Sequence, residues 1–421
     1  MKSKLTLTVI FLIYSILNSY AGINNSISSL KEQAAAGNSE AALQLGNSYF
    51  YGLNTDKDSS AAFLWYLKSA EKDNKAAMFN TALCYDQGIG TKEDKILAIR
   101  WYTKAAAGGV IQAKYNMALY YRDGAKLKSD SESIVFKPDL TKAIIYFKEC
   151  SDANFAPADR ELAKLYFSGV EYKLKKDPLT AITYLNKAVA LKDPEAIYML
   201  AKIYIEKGKG FSEIVPLLKS ASDGNIPEAQ ELLGICYECG NGVEQNKKKA
   251  MELYLSAAKS GLTSAQIKAA DYYANGNIVE EDIFEAKKWY EKAAEQNNPY
   301  AYFVLGTYAE NGIAEEKDLR KALQYYMKSA KAGFARAQYN VGVFYSKGII
   351  VTKDDNLAVY WFKKAALQNE PAAQRELGYY YITGTGGLPQ SYDYGLNWLD
   401  ASKENGDIEA DNFLNKIDVS N

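Results

Sequence analysis

A segment of about 36 residues recurs ten times along this chain of 421 residues. Each copy begins with the pattern Ala-x-x-x-(Leu)-(Gly/Ala)-x-x-(Tyr)-x-x-(Gly), and successive starting alanines lie 36, 36, 45, 38, 33, 36, 36, 36 and 36 residues apart. A period of this size is typical of solenoids built from two-helix units, so we expect a stack of repeats. The starting residues are Ala41, Ala77, Ala113, Ala158, Ala196, Ala229, Ala265, Ala301, Ala337 and Ala373.

The first half of each repeat predicts an amphipathic helix with one position reserved for a small residue. The fifth residue after the starting Ala is Gly or Ala in every copy, from Gly46 to Gly378. A small side chain there lets a neighbouring helix approach closely, although Gly costs about 1 kcal/mol of helix propensity. A Gly such as Gly52 or Gly88 then ends the helix in most copies, because Gly accepts the left-handed cap conformation.

The second half of each repeat predicts another helix with its own start signal. We interpret the polar residue at its start as an N-cap and not as a catalytic acid. These residues are Asp58, Asp94, Asp139, Asp177, Asn246, Asp282, Asp318, Asp354 and Ser391. All five Trp share one position of this helix, which predicts a ring that fills the space between helices. They are Trp65, Trp101, Trp289, Trp361 and Trp398.

Two further motifs complete the repeat: the turns Gly88-Ile89-Gly90 and Gly240-Asn241-Gly242, and the pattern Ala-x-x-Trp-Tyr-x-Lys-Ala-Ala. Together these motifs resemble the Sel-one-like repeat (SLR) family, a relative of the tetratricopeptide repeat. The resemblance covers about residues 30 to 418. It implies an all-α fold, a right-handed α/α superhelical solenoid of about ten helix-turn-helix repeats, that serves as a scaffold for other proteins. Exported bacterial members of the family are often implicated in host interaction, envelope signalling or polysaccharide assembly. The fifth copy is three residues short and lacks both the Gly-x-Gly turn and the Trp.

The N-terminus predicts export. Lys2 and Lys4 precede an apolar run from Leu5 to Leu17, and small residues stand at Ser19 and Ala21, as in a secretory signal peptide cleaved near Ala21. The run is too short to span a bilayer comfortably, although an uncleaved anchor is the alternative. We therefore expect a periplasmic or secreted protein with no membrane span after cleavage. The expected organisation is a signal peptide (1–21), an N-terminal capping helix (22–40), ten repeats (41–409, with an inserted loop at 124–139) and a C-terminal capping helix and tail (410–421).

Composition excludes several classes of function. The chain contains no His, which excludes His-based triads, H-E-x-x-H proteases and His-ligated zinc. Lys+Arg number 50 against 51 Asp+Glu, so the basic excess that nucleic-acid binding needs is missing. The nucleophile motif G-x-S-x-G does not occur either. We expect no catalytic residue, no cofactor and no metal.

The candidate binding residues lie on the first helices. By analogy with tetratricopeptide packing, positions two, six, nine and ten after the starting Ala should line the concave surface. Aromatic and Arg side chains are enriched in binding hot spots, so we hypothesise a groove that holds a peptide or helix of a protein partner. The alternative is that some of these residues only complete the packing between repeats. They are Phe50, Tyr51, Phe79, Leu83, Tyr115, Arg122, Phe167, Tyr198, Tyr339, Arg375 and Tyr379.

A second candidate surface comes from two long loops in adjacent repeats, 124–139 and 169–177. Insertions in solenoids map to loops on one face, which is often the binding face. The loops would bring together Lys126, Lys128, Lys173, Lys175 and Lys176, although Asp130 and Glu132 dilute the charge. A solvated loop without a partner is the alternative.

The four cysteines are Cys84, Cys150, Cys236 and Cys239. Cys236-x-x-Cys239 looks like a redox motif, but it lies inside a predicted helix, where thiolate activation is not expected. A structural disulfide or buried thiols are the favoured interpretations. The favoured function is therefore a non-enzymatic, exported protein-interaction scaffold. The alternatives are a β-lactamase-like or penicillin-binding activity, as associated with Cys-rich relatives, and a role in polysaccharide assembly.

Overall fold

The computed structural model describes residues 26–128, 133–170, 173–276 and 278–418. The predicted signal peptide (1–21) lies outside the described residues, as do residues 22–25 and the last three residues of the tail. The chain divides into two compact units, residues 1–200 and 201–421. Each unit is a series of paired helices, which confirms the predicted all-α solenoid of repeats.

The helices of the first unit follow one another with short connections. They are α1 (Ile27–Ala35), α2 (Ser39–Tyr51), α3 (Ser59–Ala70), α4 (Lys75–Gln87), α5 (Lys95–Ala107), α6 (Ile111–Asp123), α7 (Leu140–Asp152), α8 (Ala156–Ser168) and α9 (Pro178–Ala190). Helix α10 (Pro194–Glu206) runs across the boundary between the units. Two strands, β1 (Ala125–Lys128) and β2 (Ser133–Phe136), stand between α6 and α7.

The second unit continues the same alternation. Its helices are α11 (Phe211–Asp223), α12 (Pro227–Cys239), α13 (Lys247–Lys259), α14 (Thr263–Asn275), α15 (Ile283–Glu295), α16 (Pro299–Asn311), α17 (Leu319–Lys331), α18 (Ala335–Lys347), α19 (Asp355–Ala366), α20 (Pro371–Thr383), α21 (Tyr392–Glu404) and α22 (Ile408–Asp418). Helices α1 and α22 stand at the two ends, where the sequence predicts terminal helices. The short fifth repeat still forms two helices, α10 and α11.

The start signals of the second helices act as predicted. Each of the nine polar residues before the second helices accepts a hydrogen bond from a backbone N–H of the first turn. At Asp58, for example, Oδ1 accepts from the N–H of Ser60 and of Ala61, both at 2.9 Å. These bonds satisfy donors that a helix start would otherwise leave without a partner.

The core forms where the small residue of a first helix meets a ring of the second helix. A methyl group added at Gly306 would lie 2.6 Å from Cδ1 of Tyr326, and one added at Gly342 would lie 2.6 Å from Cε1 of Phe362. Both rings are fully buried. The close approach therefore requires glycine at these two positions, because a Cβ would occupy the space of the ring.

The deepest ring is not the tryptophan that the sequence singled out. The residue after the Trp position is the fully buried one, as at Tyr66 and Tyr102, whereas Trp65 and Trp101 are only half-buried. Only Trp289 and Trp361 are buried themselves. The predicted core role of the Trp position is thus taken mainly by its neighbour, which points at the small residue of the first helix.

The inserted loop contains a departure from helical structure that the sequence did not predict. Strands β1 and β2 pair antiparallel, with Ala125 opposite Phe136 and Lys128 opposite Ser133. Gly124 leaves α6 with φ 68° and ψ 178° instead of the left-handed cap seen at Gly52 (φ 74°, ψ 37°). The chain continues in an extended conformation there. It does the same at Gly169 after α8 (φ 64°, ψ 176°), so neither glycine forms the left-handed cap.

Candidate functional site

All eleven predicted binding residues lie on first helices, eight in the first unit and three in the second. Phe50 and Tyr51 end α2, and Phe167 lies near the end of α8. In the second unit, Tyr339 lies on α18 and Tyr379 on α20. Each of these five side chains is half-buried, so the first helices present the edges of rings to solvent.

Two of the predicted aromatic residues belong to the core instead. Phe79 is 8% exposed and Tyr115 is 4% exposed. The ring of Tyr115 packs against Phe147 at 5.8 Å and Phe155 at 5.3 Å between centroids. In these repeats, the side chain two residues after the starting Ala therefore fills the space beside the second helix. Leu83, six residues after its starting Ala, is buried as well. These side chains offer almost no surface to a partner.

The two predicted arginines are engaged within the chain. Arg122 donates from Nε to Oδ1 of Asp123 at 2.6 Å and also pairs with Glu161. Arg375 donates from Nη1 to Oδ2 of Asp407 at 2.6 Å. A guanidinium that is already paired contributes less to binding a new carboxylate, because the existing bonds must be exchanged. Tyr198 is half-buried on α10.

A charged cluster that the sequence analysis missed occurs once in each unit. In the first unit Arg160 donates from Nη1 to Asp193 at 2.7 Å, and its Nε lies 3.1 Å from Oε2 of Glu195. In the second unit Arg375 pairs in the same way with Asp407 and Glu409. The sequence pattern that marks the cluster is Arg-Glu, two and three residues after the starting Ala of one repeat, and Asp-x-Glu just before the starting Ala of the next. Each cluster ties two successive first helices together.

The carboxylates nine residues after the starting Ala of some repeats are bound by tyrosines of the adjacent helices. Glu238 accepts from the hydroxyl of Tyr254 at 2.6 Å, from the hydroxyl of Tyr272 and from Nζ of Lys268 at 3.1 Å. Burial would raise the pKa of Glu238, but these donors lower it below the ordinary value. Burial first, and then the bond to Glu238, raises the pKa of Tyr254.

The same arrangement recurs in two more repeats. Asp86 accepts from Tyr102 at 3.3 Å and from Nζ of Lys95 at 2.7 Å, and Glu310 accepts from Tyr326 at 2.6 Å. In each case the tyrosine follows the acid by 16 residues, which is the signal that could have found the pair. An acid saturated with donors in this way stabilises the repeat and holds the first-helix face in one conformation.

The four thiols form no disulfide. Cys84, Cys150 and Cys236 are buried, and Cys239 at the end of α12 is exposed. Burial raises the pKa of the Cys84 thiol to about 12 and that of Cys150 to about 12. Burial, and then the neighbouring Cys239, also raises the pKa of Cys236, so the C-x-x-C pair lacks the activated thiolate of a redox centre.

The two long loops meet in the first unit. Lys173 and Lys175 line one open depression with Gly169. Lys173 also lines the neighbouring depression, together with Phe136 and Lys137. Lys173, Lys175 and Lys176 of the second loop line one depression. The side chains of Lys126 and Lys128 lie outside the described residues, so the predicted clustering across the two loops stays a prediction.

A metal site, a membrane span and a penicillin-binding site each need a specific arrangement of residues. Within the described part of the chain, no set of three or more His, Cys, Asp or Glu side chains is arranged to hold a metal ion. None of the helices described is both long enough and apolar enough to cross a bilayer. The string Ser-x-x-Lys of penicillin-binding enzymes occurs at Ser28, Ser69 and Ser256, each within a helix. The Ser69 hydroxyl is buried and donates to the carbonyl of Ser39 at 2.6 Å.

A family model described as Sel1 repeat matches nine segments of the chain. They are residues 39–74, 75–110, 111–154, 156–193, 227–262, 263–298, 299–334, 335–370 and 371–407. The unmatched stretch between the fourth and fifth of these segments is the short fifth copy of the ten predicted repeats.

Solved structures of similar proteins agree with this match. The crystal structure of a protective antigen present in uropathogenic Escherichia coli strains, which displays an SLR fold, has 26% sequence identity and a TM-score of 0.65, over 92% of this chain and 81% of that chain. A Sel1 repeat protein from Oxalobacter formigenes has 34% identity over 51% of this chain and 84% of its own, with a TM-score of 0.47. No curated protein matches the sequence.

Proposed function

The chain belongs to the Sel1 repeat family, and from this premise we propose that it is an exported, non-enzymatic scaffold that binds a protein or peptide partner through its first helices and the loops beside them. Sel1 repeat proteins are generally protein-interaction scaffolds. The proposed location is the periplasm or the outside of the cell, and the proposed setting is host interaction or envelope signalling.

The observation that carries the proposal is that the first helices of each unit carry half-buried aromatic rings. Phe50, Tyr51 and Phe167 in the first unit, and Tyr339 and Tyr379 in the second, are neither buried in the core nor fully exposed. Large rings that lose little entropy on binding are the side chains that anchor partners in clefts. In other repeats, carboxylate–tyrosine pairs such as those of Glu238 and Glu310 hold the first helix in one conformation, and a preorganised surface lowers the cost of binding.

Export is supported by the N-terminal sequence, in which Lys2 and Lys4 precede the apolar run and Ala21. The likeness to a protective antigen of a uropathogen supports the proposed role in host interaction. Expression with a C-terminal epitope tag and fractionation of the cells test this part. A mature N-terminus near Gly22 in the periplasm or medium is expected, whereas an intact N-terminus in the cytoplasm would overturn it.

Site-specific photo-cross-linking in the native cell tests the binding face. A photoreactive phenylalanine analogue replaces Phe167 or Tyr379 on first helices, and, as matched controls, Phe284 or Tyr392 on second helices. The control side chains are more exposed, at 67% and 50%, so unspecific capture would favour them. We expect one defined protein to be captured from the first-helix positions only.

A second arm removes the rings. The variant Phe167→Ala with Tyr379→Ala should lose the cross-linked product when a reporter is placed elsewhere on the face, while Phe284→Ala with Tyr392→Ala should keep it. Equal capture from both helix faces, or capture that survives removal of the rings, would reject the first-helix face. Hydrolysis of nitrocefin by the purified protein would instead favour the β-lactamase-like alternative. Capture of a glycan-assembly enzyme or of its polysaccharide would favour a role in polysaccharide assembly.

A further inference from the structure

The paired long loops of the first unit form a surface of their own, which the first-helix face does not include. The β1–β2 hairpin belongs to the loop after α6, and the Val170–Leu174 bridge belongs to the loop after α8. Lys173 of the second loop lines the same depression as Phe136, Lys137 and Lys142 of the first. We use the name paired-loop site for the residues that line the two depressions and share Lys173.

The paired-loop site carries exposed cations with few internal partners. Lys137, Lys173, Lys175 and Lys176 are all exposed, and in the described part of the chain none of their ammonium groups lies within 4.0 Å of a carboxylate oxygen. Lys142 is the exception, because its Nζ lies 3.6 Å from Oδ2 of Asp139. The whole protein has a net charge of −1, so this concentration of positive charge is local.

Among the described residues of the two loops there are two carboxylates, Asp139 and Asp177, and both are engaged by helix starts. Asp139 accepts from the N–H of Lys142 at 3.0 Å. Asp177 accepts from the N–H of Thr180 at 3.1 Å and from its hydroxyl at 2.7 Å, and these bonds lower the pKa of Asp177. Since both charges also face the positive end of a helix dipole, they neutralise the neighbouring lysines less than free carboxylates would.

The floor of the depression is apolar and aromatic. Phe136 packs against Tyr121 with ring centroids 5.3 Å apart, and both line the depression together with Ile144. Lys142 lies 5.4 Å over the ring of Tyr121. A large apolar side chain can therefore contact the floor while carboxylates beside it reach the lysines at the rim.

We propose that the paired-loop site binds an acidic, extended peptide segment of a protein partner that carries one large apolar side chain among its carboxylates. The charges at the rim complement Asp and Glu side chains, and the floor complements the apolar one. A flat anionic bilayer would touch the rim lysines but could not reach a recessed floor. This inference rests on the proposed function in one respect, because both take the binding partner to be a protein.

The test uses fluorescence anisotropy with the purified full chain and labelled peptides of about eight residues. The probe contains Asp and Glu with one central Phe. One comparison peptide has Ser in place of the Phe, and another has Lys in place of the acids. We expect the acidic Phe peptide to bind, the Ser peptide to bind at least about threefold more weakly, and the affinity of both to fall between about 50 mM and about 200 mM salt. The Lys peptide should not bind.

Charge reversal assigns the binding to this surface. The variant Lys137→Glu, Lys173→Glu, Lys175→Glu should bind the acidic peptide at least about tenfold more weakly. The matched control Lys72→Glu, Lys92→Glu, Lys317→Glu reverses three exposed lysines of other repeats and should stay within about twofold of the parent. Circular dichroism establishes that each variant keeps its helical content.

Several results would overturn the inference. They are no binding of the acidic peptide, the same loss in both lysine variants, or equal affinity for the Ser peptide. Tighter binding of vesicles rich in phosphatidylglycerol than of the peptide, through the same lysines, would assign the surface to a membrane instead. The first-helix variant Phe167→Ala with Tyr379→Ala should bind the peptide like the parent. Peptide binding without any first-helix cross-link would reject the proposed first-helix face and support the paired-loop site. A first-helix cross-link without peptide binding would support that face and reject the paired-loop site.

Discussion

The guanidinium of Arg160 donates from Nη1 to Oδ1 of Asp193 at 2.7 Å, and the same carboxylate oxygen accepts from the N–H of Ala196 at 2.8 Å. Asp193 thus serves as the first-turn acceptor of α10 and as the partner of an arginine on α8 at once. Arg375 and Asp407 repeat the arrangement between α20 and α22. In a solenoid, where each repeat contacts only its neighbours, such a pair fixes the spacing of two first helices.

Replacement of Arg160 should destabilise the first unit strongly. Arg160 is 5% exposed and Asp193 is 8% exposed, so Arg160→Met leaves a buried carboxylate without its cation. The expected loss is about 3–5 kcal/mol of unfolding free energy, because the remaining charge keeps its desolvation penalty. Hydrogen exchange of the amides of α8 and α10 measures it locally, which suits a repeat protein whose unfolding need not be two-state.

The double variant Arg160→Met with Asp193→Asn is the control. Asn still accepts from the N–H of Ala196 but carries no charge, so part of the stability should return. Lys164→Ala, at an exposed lysine one turn away, should cost less than about 0.5 kcal/mol. If the double variant were as unstable as Arg160→Met, the buried charge would not be the cause.

Replacing Gly306 by Ala has two opposing effects on stability, and the sign of the change shows which is larger. Ala is the better helix former by about 1 kcal/mol. A methyl group at position 306 would nevertheless lie 2.6 Å from the Tyr326 ring, and overpacking of this kind costs about 1–3 kcal/mol. We therefore expect Gly306→Ala to lower the melting temperature of the second unit, as measured by circular dichroism at 222 nm.

Ala270 occupies the equivalent position in another repeat, where the inward ring is Tyr290. Ala270→Gly should destabilise by about 1 kcal/mol through helix propensity alone. If Gly306→Ala instead raised the melting temperature by a similar amount, propensity alone would explain both variants, and α16 and α17 would have room for the methyl group.

The sequence predicted the repeat fold and its caps because those features recur at one position in nearly every copy. The residues after the second helices recur in the same way: Asn154, Asn225, Asn297 and Asn369 all adopt positive φ, which Asn tolerates. Asp193 was missed because the residue before a first helix varies, being Val110 or Phe155 in other repeats. A comparison of repeats therefore does not single it out.

The candidate site was harder to predict for a geometric reason. Position two of a first helix borders both solvent and the neighbouring second helix, so its ring can turn either way. Tyr339 is half-buried there, whereas Phe79 and Tyr115 are buried. Likewise, two large residues stand side by side at the Trp position, and periodicity alone does not say that Tyr66 and not Trp65 meets the glycine. Such choices depend on helix rotation by fractions of a turn.

The four cysteines should differ sharply in reactivity. Burial raises the pKa of Cys84 and of Cys150 to about 12, so neither forms thiolate at neutral pH, and Cys236 is also buried. Ellman's reagent should therefore modify one thiol of the native protein rapidly, at Cys239, and four after unfolding. Cys239→Ser should abolish the rapid phase. Two rapid thiols, or fewer than four in denaturant without reductant, would contradict this.

Alkaline pH should unfold the repeats through their buried tyrosines. Burial, followed by the neighbouring carboxylate, raises the pKa of Tyr102 beside Asp86 and of Tyr254 beside Glu238. The folded state therefore favours the neutral phenol. The resulting stability is fully present below the unfolded pKa of about 10 and is lost as the pH rises beyond it, because only the unfolded chain can then release these protons.

Absorbance at 295 nm and circular dichroism at 222 nm, followed together from pH 8 to pH 13, measure this. Among the 34 tyrosines, one group should ionise while the helices persist, and the rest should ionise only as helical signal disappears. Tyr254→Phe removes one buried phenol but leaves Lys268 and Tyr272 on Glu238, so it should make the loss of helix less steep with pH. Ionisation of all tyrosines in a single step with the helices intact would show that the carboxylate–tyrosine pairs open freely to solvent.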